Sequence, residues 1–413
     1  MADLTPINDA LQKLLAAVPV LTTERVPLTQ AAGRVLAADV QAGFDLPLFD
    51  NSAMDGFAVR AADLSTASPQ SPVTLEVVAD LPAGVNPEVW LAAGQAARIM
   101  TGAPLPEGAD AVVPVEDTDF PARQVGVPAP EKIRVFRSLQ PGDYVRPRGQ
   151  DVKKGETVLT APHRLRAQDL GVLAMLGQAE VEVFRAPKVG LMTPGDELLP
   201  LDAPLEPGKL YESNSYTLAA LIERLGGRVV RLGIVRDGLE AVQQRLAWAL
   251  EQGVDLLLST GGVSVGAFDF VRAVLEREGE LRLWRVNMRP GKPLAFGRYR
   301  GVPYIGLPGN PVSAFVGFQV FVRPVLLKMM GLPTPPRLLR RVVLAEPVTS
   351  DGRESYLRVI LSQEDGRWVA RLAGHQGSGN LQSLVRANAL LIVPAGVTSL
   401  AAGEEAEAWL YEG

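Results

Sequence analysis

Leu256-Leu257-Leu258-Ser259-Thr260-Gly261-Gly262-Val263-Ser264-Val265-Gly266-Ala267-Phe268-Asp269, opening into the helical run Phe270 to Glu276, is the stretch on which the fold turns. An apolar run of strand length stops at hydroxyls, paired glycines strip the chain of side chains, and an amphipathic run begins at once. The same order recurs upstream. Strand-like Val189 to Met192 leads to helical Ser215 to Leu225, and Val229 to Ile234 leads to Leu239 to Leu250. Gly226-Gly227 and Gly253 stand where helix C-termini stop. From Lys188 to about Gly331 this alternation predicts a doubly wound, mostly parallel α/β domain with helices on both faces.

Outward from that domain the texture changes. Between Val73 and Leu159, short β-rich runs broken by Pro and Gly (Val73 to Val78, Ala97 to Met100, Ala111 to Val115, Ile133 to Phe136, Glu156 to Leu159) predict an inserted all-β domain. Asn8 to Val18 carries Leu11, Leu14, Leu15 and Val18 at helical spacing behind an Asn8 or Asp9 cap. His163 to Leu176 is helical again, and the two are expected to pack together across the insertion. Beyond the proline-rich hinge Pro333 to Pro336, five short strands at turn-like spacing, from Val342 to Leu410, predict a small β-barrel or sandwich.

Composition narrows the chemistry. The chain has 413 residues, 47% hydrophobic and 21% charged, enough for several packed cores. A formal charge of −5 creates no global basic field, so nucleic acid is not an expected partner. No apolar run approaches the roughly 18 residues of a membrane span and no leader precedes Met1-Ala2-Asp3-Leu4, so no membrane is expected and a cytoplasmic location is. With no cysteine, thiolate ligands and thiol nucleophiles are excluded. His163 and His375 stand alone, outside any metal-ligand spacing, so a bound metal would need oxygen ligands, which favours magnesium.

Three loops at predicted strand ends carry the candidate chemistry, because ligands of open α/β sheets bind there. Thr193-Pro194-Gly195-Asp196-Glu197 offers two acids beside a glycine, or an ordinary capped turn. In the opening stretch, Gly261, Gly262 and Ser264 suit an oxyanion, since bare backbone N–H groups and a helix N-terminus face it. Asp269 either caps that helix or stands where magnesium is wanted. Asn287-Met288-Arg289-Pro290-Gly291-Lys292-Pro293 holds two cations in one short turn, where repulsion calls for a dianion unless both are solvated. Leu307-Pro308-Gly309-Asn310-Pro311-Val312-Ser313, with Pro at a first helical turn, offers donors to a second anion. Phe49-Asp50-Asn51-Ser52-Ala53-Met54-Asp55-Gly56, Met100-Thr101-Gly102-Ala103-Pro104 and Arg146-Pro147-Arg148-Gly149-Gln150-Asp151 read singly as turns.

In this order the motifs resemble the molybdopterin molybdenumtransferase family, the MoeA family that includes the gephyrin C-terminal region. The resemblance spans essentially the whole chain and departs from the family's habit at Arg289, where lysine is common, and at Pro194, which removes a backbone donor. It implies a multidomain α/β plus all-β chain. Domain I would take residues 1–50 and 146–183, domain II the inserted 51–145, a molybdopterin-binding α/β domain 184–333, and a C-terminal β-barrel 334–413. It implies a homodimer whose site lies between the α/β domain of one subunit and the inserted domain of the other. The substrates would be adenylylated molybdopterin and molybdate, the products molybdenum cofactor and AMP, and the upstream adenylyltransferase a partner.

Carried over residue by residue, the resemblance makes Asp55, Thr101, Glu197 and Asp237 catalytic. Asp151, Gly261, Gly262 and Ser264 join Arg289, Lys292, Pro293, Ser313, Arg358 and Ser378 in binding pterin, nucleotide and molybdate, and Asp269 with Glu197 holds magnesium. Two other readings compete: an adenylyltransferase acting with ATP, which the α/β domain alone would suit, and a non-catalytic dimeric scaffold. Acids and cations retained across all the loops favour catalysis.

Overall fold

The computed structural model describes residues 4–120, 127–261 and 267–411, with the backbone alone at 267–269 and at Leu283. The chain divides into two compact units: Met1–Ala37, Pro162–Ala167 and Glu180–Gly413 in one, Ala38–Ala161 and Gln168–Ala179 in the other.

In the first unit, a six-stranded sheet runs in the order Arg228–Val235, Lys188–Pro194, Leu256–Thr260, Val302–Leu307, Pro293–Tyr299, Gly279–Arg285. The first four strands are parallel and the last two form an antiparallel edge. Leu256, Leu257 and Leu258 are all buried, as an unbroken apolar strand must be when both sheet faces are covered. Helices Ile7–Ala17 and Asn214–Arg224 and the run from Pro311 cover one face through Leu14, Leu218, Ile222 and Phe315. Leu239–Glu251 and Ala267–Glu278 cover the other through Leu246, Val274 and Leu275. This is the doubly wound α/β domain.

Two helices differ from the sequence expectation. The first spans Ile7–Ala17 behind Pro6, so Asn8 and Asp9 lie within its first turn, where Asp9 faces the positive end of the helix dipole. Its buried residues Ile7, Ala10 and Leu14 belong to the α/β core, while His163–Arg164 is a strand and only Ala167–Met175 is helical. Pro311–Met329 is a continuous 19-residue helix of mean hydropathy 1.4, long and apolar enough to cross a membrane, yet 89% buried within the protein. It is apolar all round because it is a core helix. Its central Phe318–Val322 is π-helical just ahead of Pro324, whose ring would crowd a carbonyl four residues back in a regular helix.

Beyond the hinge, Glu354–Glu364 pairs with both Arg367–Leu372 and Ala389–Val393, and Glu405–Trp409 links Ala389–Val393 to Leu339–Leu344. Leu339–Leu344 in turn pairs with Arg367–Leu372, so five strands close into a barrel and leave no open sheet edge. Met288–Arg289 extends this sheet in parallel, Arg289 opposite Ser355. The second unit is built on a five-stranded sheet ordered Ala111–Pro114, Gly56–Val59, Gln95–Ile99, Val73–Leu81, Lys132–Val135.

Candidate functional site

Parallel register places the C-terminal ends of neighbouring strands side by side, so Val235, Pro194, Thr260 and Leu307 end along one edge. The loops that follow line a cavity of about 860 Å³. Its position follows from strand order alone, and each loop brings a different chemistry to it.

Acids come from the first two loops. Glu197 and Asp237 line the cavity, and the Asp237 N–H donates to Asp196 Oδ1 at 3.2 Å. Partial burial, and then the negative charges of Asp196 and Glu197, raise the Asp237 carboxyl above its ordinary value of 3.8. Gly195 is at φ 147°, and a Cβ there would lie 2.6 Å from Glu197 Oε2, so the acid is seated against bare backbone.

Glycines come from the next two loops. Gly261 N–H donates to Leu307 O at 3.0 Å, and a Cβ on Gly309 would come within 3.3 Å of the Gly261 Cα. Two backbones thus touch where side chains would hold them apart, leaving bare chain on the cavity wall. Asn214 Nδ2 donates to Gly309 O at 2.7 Å, and buried Glu212 accepts from Ser215 N–H at 2.7 Å, so the start of the Asn214–Arg224 helix braces this corner.

Cations come from the antiparallel edge and the barrel. Arg285 stands opposite Pro293 in the hairpin register, which turns Arg289, Gly291 and Lys292 into the cavity wall. Among the described residues, neither Arg289 nor Lys292 has a salt bridge or a hydrogen-bonded side chain. Arg358 is fully buried, with Nε donating to Ser383 Oγ at 2.9 Å and Nη2 to Gly377 O at 3.0 Å. Burial, and then the Arg289 charge, lower its pKa to about 10. Arg353, also on the wall, donates to Met288 O at 2.8 Å and pairs with Asp351, tying the cationic turn to the barrel. Ser313 and Ser378 complete this end, joined by the Val312 N–H to Ser378 O bond at 3.0 Å.

The structure therefore brings Glu197, Asp237, Gly261, Arg289, Lys292 and Arg358 to one cavity, with Pro293, Ser313 and Ser378 beside them. Gly262 and Ser264 lie outside the described residues, as does the Asp269 side chain. Asp55 and Thr101 belong to the second unit. There the antiparallel partners Gly56 and Ile99 place the flanking loops together, and the Asp55 carboxylate accepts from the Thr101 N–H at 2.8 Å and its hydroxyl at 2.7 Å. Asp151, in the same unit, is exposed and donates its N–H to Leu46 O at 2.9 Å.

Sequence reasoning missed Asn214, Glu212 and Arg353. Glu212 follows the short strand Leu210–Tyr211 and Asn214 opens the next helix, the same strand-to-helix signal that marked the other loops. Arg353 carried no comparable signal, since its place on the wall depends on a hinge and a barrel far along the chain.

Comparison with known proteins agrees with this architecture along its length. Models of the MoeA N-terminal region (domain I and II), a probable molybdopterin binding domain and the MoeA C-terminal region (domain IV) match residues 5–177, 190–328 and 341–411. Molybdopterin molybdenumtransferase 2 of Mycobacterium tuberculosis is 42% identical, with 93% of this chain and 94% of the relative covered. The molybdopterin molybdenumtransferase of a Nostoc species is 40% identical over 93% of this chain and 87% of its own. The crystal structure of a molybdopterin biosynthesis MoeA protein from Pyrococcus horikosii superposes with a TM-score of 0.83 at 33% identity, covering 100% of both chains.

Proposed function

The chain belongs to the MoeA family, and on that premise we propose that it inserts molybdate into adenylylated molybdopterin, releasing AMP and forming molybdenum cofactor. One observation carries the reading: a single cavity with acids at one end, bare glycine backbone between, and at the other a group of cations of which Arg289 and Lys292 have no ion pair among the described residues. A nucleotide phosphate and an oxyanion need such complementary ends. The near-full-length relatives named as molybdenumtransferases favour this reaction over adenylylation of the pterin with ATP.

Arg289, Lys292 and Arg358 hold molybdate, with Pro293, Ser313 and Ser378 shaping the pocket around it. Their repulsion is relieved when a dianion sits among them, so the site is built to bind charge. Gly261 with Gly262 and Ser264 receives the adenylate phosphate, and Asp151 contributes to binding from the second unit.

Magnesium fits the acidic end. It takes one or two carboxylates and completes its shell with phosphate oxygens and water, and the charges of Asp196 and Glu197, which add to burial in raising the Asp237 pKa, form a field that attracts a dication. Among the described residues no three His, Asp or Glu converge, so the ion would rest on Glu197 and Asp269 together with the substrate. When bound it supplies polarisation of the phosphoanhydride. Asp237, whose carboxyl holds a proton more readily than an ordinary aspartate, passes protons at the cavity rim, and Asp55, oriented by Thr101, does so from the second unit.

The working form is a cytoplasmic homodimer, with Asp55 and Thr101 meeting the cavity of the other subunit. Leu201, Leu205, Leu210 and Tyr211 are exposed by 57%, 65%, 53% and 40%, and the last two line the cavity, an apolar rim suited to a protein partner. A dimer mass by light scattering checks this. Incubation with adenylylated molybdopterin, magnesium and molybdate should yield AMP and bound molybdenum in step; ATP consumption with metal-free molybdopterin instead would overturn the assignment. Asp269→Ala should abolish magnesium-dependent AMP release, and undiminished release would remove Asp269 from the metal.

A further inference from the structure

A second cavity, of about 440 Å³, opens on the first unit where the Pro311–Met329 helix passes the end of the Asn214–Arg224 helix and the hinge. Among the described residues its wall carries Arg164, Arg224 and Arg323 and no carboxylate, with Leu225, Phe318 and Leu327 as apolar lining.

Arg323 is partly buried and has neither a salt bridge nor a hydrogen-bonded side chain among the described residues. Arg164 spends Nη1 and Nη2 on backbone carbonyls, Gly33 O at 2.8 Å and Leu225 O at 3.0 Å, and meets no acid among the described residues. Burial lowers the pKa of both, and the Arg323 charge lowers that of Arg164 further, so the two guanidiniums repel across the pocket. Beside them Gln319, 5% exposed, has a buried Oε1 without a partner. Three such orphaned side-chain atoms occur among the described residues, and the other two, on Thr193 and Thr260, stand on the strand ends that lead into the loops of the first cavity. Buried polar groups and uncompensated buried cations both cost stability unless something completes them.

We propose that this second cavity binds a small amphiphilic organic anion, its acidic group held by Arg323 and Arg164, an N–H or O–H on its body donating to Gln319 Oε1, and its apolar body against Leu225, Phe318 and Leu327. The volume suits a ligand of drug-like size, and the mixture of apolar wall and convergent polar groups is that of a small-molecule site. A carboxylate, sulfonate or phosphate monoester supplies the shared chemistry, since a guanidinium binds each through paired N–H donors.

The test uses the full chain and anilinonaphthalene sulfonate, an aromatic body with one anionic group, followed by its fluorescence. One saturable site is expected, with uncharged phenylnaphthylamine binding at least about tenfold more weakly because it leaves Arg323 unpaired. Arg323→Gln should weaken the sulfonate by about tenfold, with an unchanged circular dichroism spectrum. If that variant does not fold, the contrast between the two dyes on the unaltered protein still decides. Lys292→Gln, on the wall of the first cavity, should leave the affinity unchanged. Equal affinity for both dyes, full affinity in folded Arg323→Gln, or loss of binding in Lys292→Gln each overturns the proposal.

Discussion

The two ends of the larger cavity are built on the same principle with opposite sign. At one end burial, and then the charges of Asp196 and Glu197, raise the Asp237 carboxyl above its ordinary range; at the other burial, and then the Arg289 charge, lower the Arg358 guanidinium to about 10. Each end is only partly neutralised from within, by Arg236 at 3.8 Å from Asp196 and by the pairing of Asp351 with Arg353. Burial and like-charge contacts both disfavour the charged forms, a cost that a cation at one end and anions at the other would relieve, and the comparison predicts which perturbations matter most.

The cationic end should be the more sensitive, because on the proposed reading the substrate's oxyanion sits directly against it. Replacing Arg289 and Lys292 together with Gln is expected to reduce molybdenum incorporation on the order of a thousandfold, read as metal bound per AMP released. A loss below about tenfold would mean that this end does not bind the dianion and the symmetry is only apparent.

The acidic end can be disturbed without removing a charge. Gly195→Ala places a methyl against the Glu197 carboxylate, at a backbone φ that L side chains rarely adopt. A fall in kcat of about tenfold, recovered in part by excess magnesium, is expected from displacing one carboxylate. Normal turnover would show that Glu197 is not position-sensitive.

Between the ends, Asn214→Ala removes the hydrogen bond that braces Gly309. The cost should appear as a roughly fivefold rise in KM for the adenylylated substrate with kcat little changed, since a bracing contact worth about 1 kcal/mol is lost. A fall in kcat alone would instead place Asn214 in the chemistry.

The smallest effect concerns stability. The folded-state pKa of Asp237 is raised, so the folded protein binds more protons than the unfolded chain between 3.8 and the raised value, and stability falls as pH rises through that window. Above it the penalty is constant. Asp237→Asn should therefore melt slightly higher at neutral pH, on the order of 1 °C, and show no gain below pH 3.8. A lower melting point at neutral pH would mean that the negative charge is compensated.

Much of this was legible in residue order. The apolar runs, glycine stops and helical spacings from Lys188 onward announced a parallel sheet with helices on both faces, because burial on both faces leaves no room for polar alternation. The loops at the strand ends were equally visible, since hydroxyls, glycines and acids gather where strands stop. Less legible was the Pro311–Met329 helix, where Gln319, Arg323 and Pro324 break the apolar pattern while a π-helical turn absorbs the proline. The partner of the first helix was misread because an apolar stripe states that it must be buried without saying against what.

Sequence alone determined which short segments form strands, turns and helices and which of them carry charge, because those choices rest on neighbours a few residues away. Tertiary structure decided that Arg358, buried in the barrel, shares a cavity with Arg289, Lys292 and Gly261, and that Arg323 and Arg164 share a second one with no carboxylate among the described residues of its wall. Those juxtapositions depend on strand order, barrel closure and the path of the hinge, and it is distance in space, not along the chain, that sets the repulsion between charges.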